Sequence, residues 1–278
     1  MSKPTVIIQA RMGSTRLPCK VLMPLPYVSG IACGDNVLYQ VCKRALAIHG
    51  IDQLIIATTT QAKDNVIEKW AEKNAILSYR GSEDDVLDRF YQAALLYEAD
   101  PIIRITGDCP CIDPEIISAM LERYYKSKAD YLSNTLHRTF PHGLDAEIFS
   151  FAALNKAHRE VSDNYSREHV TPYLYQSGLF QCVGYEDPNA LDVNPHIRVT
   201  LDTPEDSIVI YALYDLLGTD FSYQNILDAF AKYPWLRLIN QNIRQKKQYQ
   251  NEESEIADAV ALLKFNGFSK AAKRLANL

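Results

Sequence analysis

An α/β fold, with a mainly parallel mixed sheet flanked by helices, follows from three features of this sequence. Val6, Ile7 and Ile8 form an unbroken apolar run, the pattern of a strand covered on both faces. Strand-like and helix-like segments then alternate through the first half of the chain. Charged, turn-rich loops begin directly after apolar runs, near residues 10 and 106, where an open α/β sheet binds its ligands.

After the first strand the pattern predicts a helix over 36–48, a strand over 53–59, a helix over 64–74 and a strand over 76–79. Ser82 starts the next helix, with Asp85 as an acidic variant of the capping box, and Val86, Leu87, Phe90, Ala94 and Tyr97 recur at helical spacing. Residues 102–105 read as a central strand that ends in Gly107, Asp108, Cys109 and Cys111, before a helix near Glu115. Residues 131–185 mix short strands with helices over 151–160 and 166–176, and the span of about 131–190 is the expected substrate-side lobe. Residues 197–201 read as a strand, Pro204 suits the first turn of a helix to Leu217, and Ser222 caps a helix through Lys232. From residue 240 the chain turns polar, through Gln245, Lys246, Lys247 and Gln248, then helical over 254–263 and 269–275 around a break at Gly267. The expected division is a main domain over 1–239 and a helical extension over 240–278.

Composition narrows the class. At 278 residues, 47% hydrophobic and 23% charged, the chain suits one large domain with an appended segment. A formal net charge of -5 argues against a general nucleic-acid binder, which needs a basic footprint. The six cysteines, at 19, 33, 42, 109, 111 and 182, show no C-x-x-C and no zinc-like spacing, which points to reduced thiols. The chain enters a strand within a few residues of Met1 and has no apolar stretch long enough for a bilayer, so the expectation is a cytoplasmic protein without a membrane partner.

The loop after the first strand gathers Gly13, Ser14 and Thr15 with Arg11, Arg16 and Lys20. Successive backbone N–H groups, two forked guanidiniums and one point charge match a nucleoside triphosphate. Neither G-x-x-x-x-G-K-[ST] nor G-x-G-x-x-G occurs, so neither a P-loop nor a dinucleotide-binding reading is supported. Basic loops are commonly solvated turns, but this placement directly after a buried strand favours phosphate binding. Asp108 and Asp202 each follow a predicted strand, and two carboxylates opposite a triphosphate imply a divalent ion, with magnesium the best match. Local alternatives are an N-cap for Asp202 and a turn role for Asp108. Cys109 and Cys111 form a C-x-C pair without further ligands and read as thiols rather than a soft-metal site.

Four segments carry a family resemblance: Ile8-Gln-Ala-Arg-Met-Gly-Ser-Thr-Arg-Leu-Pro-Cys-Lys20, Arg80-Gly-Ser-Glu-Asp-Asp-Val-Leu-Asp-Arg89, Arg104-Ile-Thr-Gly-Asp-Cys-Pro110 and Val199-Thr-Leu-Asp-Thr-Pro-Glu-Asp206. With residues 143–147 and 167–172 they cover roughly the first 210 positions in order, leaving the tail after 240 outside. The chain resembles the cytidylyltransferase group that includes the CMP-sugar-acid synthetases, specifically its spore coat polysaccharide biosynthesis protein F branch. The resemblance implies a nucleotide-diphospho-sugar-transferase-like fold. It also implies magnesium-dependent coupling of CTP to a sugar acid or phosphorylated acceptor, with release of pyrophosphate, in surface polysaccharide or glycoconjugate precursor synthesis. By the same mapping Arg11, Arg16 and Lys20 hold the triphosphate as the catalytic cations, and Ala10, Gly13, Ser14, Arg80, Gly81, Ser82 and Asp85 line the nucleotide. Asp108 and Asp202 bind Mg2+. Spacing alone does not distinguish CTP from another nucleotide.

Residues 134–147 are the expected acceptor pocket, with Arg138 suited to a carboxylate or phosphate, Asp145 to sugar hydroxyls, and His142 and Arg198 beside them. Histidines such as His142 and His169 are more often structural than catalytic, and Arg198 inside a strand equally suits a structural carboxylate. An acceptor oxygen attacks the α-phosphorus in line, positioning and electrostatics supply most of the catalysis, and no protein nucleophile is required. A hydroxyl acceptor needs a proton acceptor, whereas a phosphorylated one arrives ionised. Cys19 stands where this branch usually has glycine, although a β-carbon resists positive φ, and His142 stands where a carboxylate is common. Residues 23–35 are unusual and proline-rich. Competing readings are a metal-dependent glycosyltransferase using a nucleotide sugar, whose usual Asp-x-Asp is missing, and a noncatalytic nucleotide-binding scaffold, against which the intact cations and aspartates count. The tail's Ile256, Val260, Leu263 and Leu275 suit either a homodimer contact or packing on its own domain.

Overall fold

The computed structural model describes residues 3–28, 31–32, 35–190, 192, 194–243 and 252–276. Cys33, part of the proline-rich stretch and the polar run 245–248 lie outside the described residues. The chain forms two compact units, Met1–Gln241 and Asn242–Leu278.

In the first unit β1 (Thr5–Gln9) is followed by a short ribbon, β2 (Tyr27–Val28) and β3 (Ile31–Ala32), and by α1 (Val37–Leu46). Then come β4 (Gln53–Thr59), α2 (Asn65–Lys73), β5 (Leu77–Gly81), α3 (Val86–Tyr97), β6 (Ile102–Thr106) and α4 (Pro114–Ser127). The second half holds β7 (Tyr131–Ser133), β8 (Glu147–Phe149), α5 (Phe151–Glu160), α6 (Asn164–His169), α7 (Pro172–Gln176) and β9 (Cys182–Gly184). Three helices close the unit: α8 (Pro204–Leu217), α9 (Tyr223–Lys232) and α10 (Trp235–Asn240). The main sheet runs β5-β4-β1-β6-β8-β7-β9.

Strands β5, β4, β1 and β6 are parallel, so the loops that leave them share one edge. Strand β8 runs against both β6 and β7. Its amino end, Glu147, pairs with Arg104 and Ser133, and the 134–146 connection therefore sits at the same edge as the loops after β1 and β6. Side-chain alternation along β1 feeds two cores: Val6 and Ile8 pack with Leu38, Ile67 and Met120, while Ile7 packs with Leu87, Phe90 and Leu154. A third apolar cluster joins Leu25, Phe140, Val199 and Leu201 to Val209, Leu213, Phe230 and Leu236.

Several elements differ from the sequence expectation. Residues 197–201 form no sheet strand; Arg198 makes a single bridge to His142, and Leu201 N–H donates to the Asp108 carbonyl at 2.8 Å. The apolar alternation of Ile197, Val199 and Leu201 serves the third cluster instead. The helix expected over 166–176 is broken at Val170, with φ 71°, because Pro172 starts a new helix. Helix α3 begins after Asp85, whose carboxylate caps it by accepting from Asp88 N–H at 2.9 Å, while the Ser82 hydroxyl accepts from Asp85 N–H in the preceding turn. Helix α10 had no counterpart in the sequence reading.

The second unit is a helical hairpin, α11 (Glu252–Phe265) and α12 (Ser269–Leu275). Gly267, at φ 79°, terminates α11: Phe268 N–H donates to Leu263 O at 2.8 Å and Gly267 N–H to Lys264 O at 3.1 Å. Among the described residues no helix is long and apolar enough to cross a membrane.

Candidate active site

The loop after β1 is pinned from below. Met12 N–H donates to Asp64 Oδ1 at 2.7 Å, and the other Asp64 oxygen accepts from the Thr59 hydroxyl. Asp64 is fully buried at the end of the loop after β4, so two strand ends are tied through one carboxylate. The Met12 carbonyl accepts from Ser14 N–H at 2.9 Å and Cys19 N–H at 3.3 Å, which folds residues 12–19 back on themselves. Cys19 takes the left-handed region, φ 60° and ψ 14°, and starts the single-turn 3-10 helix Lys20–Leu22. The loop thus turns at position 19 without a glycine there, at a backbone cost of about 1–2 kcal/mol. Ala10 lends its N–H to Ala57 O at 3.2 Å, and Arg11 lies 3.7 Å from Glu83, which itself pairs with Lys63 at 2.7 Å near Gly13.

Lys20 turns away from the loop and onto the carboxylates. Its Nζ donates to Asp108 Oδ2 at 2.5 Å and to Asp202 Oδ1 at 2.7 Å. The other oxygen of Asp202 meets Arg16 at 3.1 Å and Arg198 at 2.7 Å. Burial opposes the charge on Lys20, but Asp108 and Asp202 outweigh it and raise the ammonium pKa. Burial likewise opposes ionisation of Asp202, and Lys20, Arg16 and Arg198 nonetheless hold its pKa at about 2. Asp202 is not the helix cap: Thr203 caps α8 in a reciprocal box with Asp206. Asp206 is fully buried and accepts from Arg198, from Asn240 and from the N–H groups of Asp202 and Thr203, which fixes the Asp202 backbone. Two hard carboxylate oxygens already hold a cation between them, a donor set that fits a divalent ion retaining several waters. Burial raises the pKa of Cys109 and pushes that of Cys111 up to about 12, so both stay thiols.

The β5–α3 turn is held by Arg89, a residue the sequence reading gave no role. It is 2% exposed, its Nη1 donates to the Ser82 carbonyl at 2.5 Å, and its Nε has no partner. Burial and the nearby Arg11 push its pKa down to about 10. Gly81 is needed for this packing, since a β-carbon there would lie 2.9 Å from Arg89 Cγ and 3.1 Å from Tyr79 Cε1. Arg80 points elsewhere, to Glu68 at 2.9 Å and to the carbonyls of Thr59 and Gln61. Asp85 is gripped by Arg167 at 2.5 and 3.0 Å while capping α3.

In the 134–146 connection, Arg138 and Asp145 form a two-pronged pair at 2.6 and 2.9 Å, so each is committed to the other. Gly143, at φ 104°, presses against residues 199–200, where a β-carbon would lie 2.5 Å from Val199 C. The Asn134 side chain closes the connection through Leu144 O at 2.8 Å and Ala146 N–H at 3.0 Å. His142 is half-buried; burial, with Arg138 and Arg198 nearby, lowers its pKa to about 4, so its ring is neutral near pH 7. Arg198 is buried beneath Asp202. Below this edge a polar row crosses the sheet: Gln9 accepts from Arg104 at 2.9 and 3.1 Å, and Arg104 pairs with Glu147. Glu147 also accepts from the Tyr131 and Thr171 hydroxyls, each at 2.6 Å.

The structure therefore brings Arg16, Lys20, Asp108, Asp202 and Arg198 into one cluster, with Arg11, Gly13 and Ser14 on the loop above β1. Arg80 and Asp85 serve the base of the neighbouring loop, and Arg138, His142 and Asp145 occupy the connection between β7 and β8. Spore coat polysaccharide biosynthesis protein SpsF of Bacillus subtilis is 36% identical over 233 residues, 82% of this chain and 94% of that protein. A 3-deoxy-manno-octulosonate cytidylyltransferase of Escherichia coli is 30% identical over 122 residues, 44% of this chain and 46% of its own. The solved structure of a cytidylyltransferase from Leptospira borgpetersenii serovar Hardjo-bovis superposes with a TM-score of 0.77 at 32% identity, covering 89% of this chain and 100% of that one. The profile of the cytidylyltransferase family matches residues 5–256, from the first residue of β1 past both loops and both aspartates, and the chain belongs to that family.

Proposed function

We propose that this cytidylyltransferase couples CTP to a sugar acid or a related phosphorylated acceptor, in a magnesium-dependent reaction that releases pyrophosphate. The observation that carries the reading is the convergence of Lys20 and Arg16 from the β1 loop on Asp108 and Asp202. Phosphate-binding cations and a pair of hard oxygen ligands at one sheet edge are what attack at the α-phosphorus of a triphosphate, with departure of pyrophosphate, requires. The names of the SpsF and 3-deoxy-manno-octulosonate relatives support a sugar-acid acceptor and a place in surface polysaccharide precursor synthesis.

Arg11 and Arg16 bind phosphate oxygens through forked hydrogen bonds, and Lys20 adds a point charge where negative charge gathers on departing pyrophosphate. Asp108 and Asp202 hold Mg2+, which when bound neutralises phosphate charge and orients the triphosphate. Gly81 and Ser82 form the wall beside the base, kept in place by Arg89. The 134–146 connection receives the acceptor, with Arg138 and Asp145 parting to meet its carboxylate or phosphate and its hydroxyls.

A pyrophosphate-release assay with CTP, Mg2+ and a panel of sugar acids and phosphorylated sugars tests this reading. Release that needs both CTP and one acceptor class is expected. Preferential thermal stabilisation by CTP over UTP, ATP and GTP should accompany it. Nucleoside diphosphate release from a sugar nucleotide, without a triphosphate response, would sink it.

A further inference from the structure

We infer that Lys20 is a built-in counter-ion of the carboxylate pair, which a divalent ion must displace, so that metal enters this site together with the nucleotide rather than ahead of it. The inference rests on the assignment of Asp108 and Asp202 to the ion made above.

The ammonium sits 2.5 Å from Asp108 Oδ2 and 2.7 Å from Asp202 Oδ1, and the Lys20 side chain is 11% exposed. Among the described residues Lys20 is the one cation that bridges the two aspartates, since Arg16 and Arg198 engage the opposite oxygen of Asp202. A divalent ion held by Asp108 and Asp202 would need the carboxylate charge that the ammonium now neutralises. An ammonium hydrogen-bonded to those carboxylates would then lie within a few ångströms of a doubly charged ion, in a setting where repulsion is only partly screened. The two cations exclude one another.

Displacement needs somewhere for the ammonium to go. Bare metal offers no new anion, and the positions nearest Asp202 are already held by Arg16 and Arg198. A metal–triphosphate complex offers both parts of the exchange, with metal for the carboxylates and phosphate oxygens for the ammonium. Lysine suits the move because its charge sits on a flexible four-carbon stem. Its backbone anchor, by contrast, is set by the turn that begins at Cys19. The exchange therefore loads the phosphate contact of Lys20 and the metal site in one event.

Manganese(II) binding to the full-length protein, read by electron paramagnetic resonance and water-proton relaxation with no acceptor present, tests this without turnover. Wild-type protein should hold Mn2+ weakly until CTP is added, and Lys20→Met should bind Mn2+ alone at least about tenfold more tightly. Lys20→Gln provides a second neutral variant, and tight Mn2+ binding by the wild type alone would overturn the inference without any variant. Equal affinities for wild type and Lys20→Met, both abolished by Asp108→Asn, would also overturn it while leaving the proposed reaction intact. No Mn2+ binding by either, with or without CTP, would remove the metal assignment and this inference with it.

Discussion

Asp64 shows what a single buried carboxylate contributes to the site. It accepts from Met12 N–H and from Thr59, 52 and five residues away, and so holds the β1 loop against the end of β4. Asp64→Ala leaves the buried Thr59 hydroxyl and the partly buried Met12 N–H without their acceptor, which should cost about 1–3 kcal/mol in urea unfolding and raise the KM for CTP more than it lowers kcat. A variant of unchanged stability and KM would refute that role. His142 gives a pH signature. Its folded pKa is about 4 against an ordinary 6.5, so the unfolded chain takes up a proton first as pH falls. Stability from this group is present above about pH 6.5 and is lost between there and about pH 4. The urea midpoint should fall less steeply through that window in His142→Asn than in wild type; parallel curves would contradict it. Asp108 and Asp202 were legible as candidates because each follows an apolar run and precedes a turn. Asp64 was not, since its partner is remote in sequence, whereas Asp206 left a readable Thr-x-x-Asp box that the pairing of Asp202 with Asp108 overshadowed.

Among the elements, the least regular segment is the most constrained. The 197–201 stretch looked like a strand because its apolar residues alternate, but alternation reports which side is buried and not which backbone is paired. Its hydrogen bonds go to Asp108 O and His142 O, and these contacts set Asp202 beside Lys20. Gly143 is the keystone of that arrangement. Gly143→Ala combines a positive φ with a backbone collision and should destabilise the protein by at least about 2 kcal/mol, with loss of CTP-induced thermal stabilisation. Retention of both would show that the connection can shift off residues 199–200. The β1 and β4 strands were readable from continuous apolar runs, β6 from an apolar run interrupted only at Arg104, and helix α8 from its Thr-Pro start. Short strands β7, β8 and β9 offered too few residues for a period to declare itself.

At the scale of the whole molecule, every candidate site residue lies between positions 10 and 202, inside the unit Met1–Gln241. Helix α11 contributes no buried residue, and Phe265 and Phe268 are 76% and 61% exposed. A chain ending at residue 241 should therefore keep the CTP-dependent thermal shift of the full-length protein. Loss of that shift in a folded truncation would assign the hairpin a part in nucleotide binding. The reversal of β8 has a different consequence. A crossover between parallel strands must span the full height of the sheet, but the 134–146 stretch leaves and re-enters at one rim. Its length is set at that rim and not by the height of the sheet, so away from the contacts of Asn134, His142 and Gly143 the stretch can lengthen or shorten without moving the strands on either side.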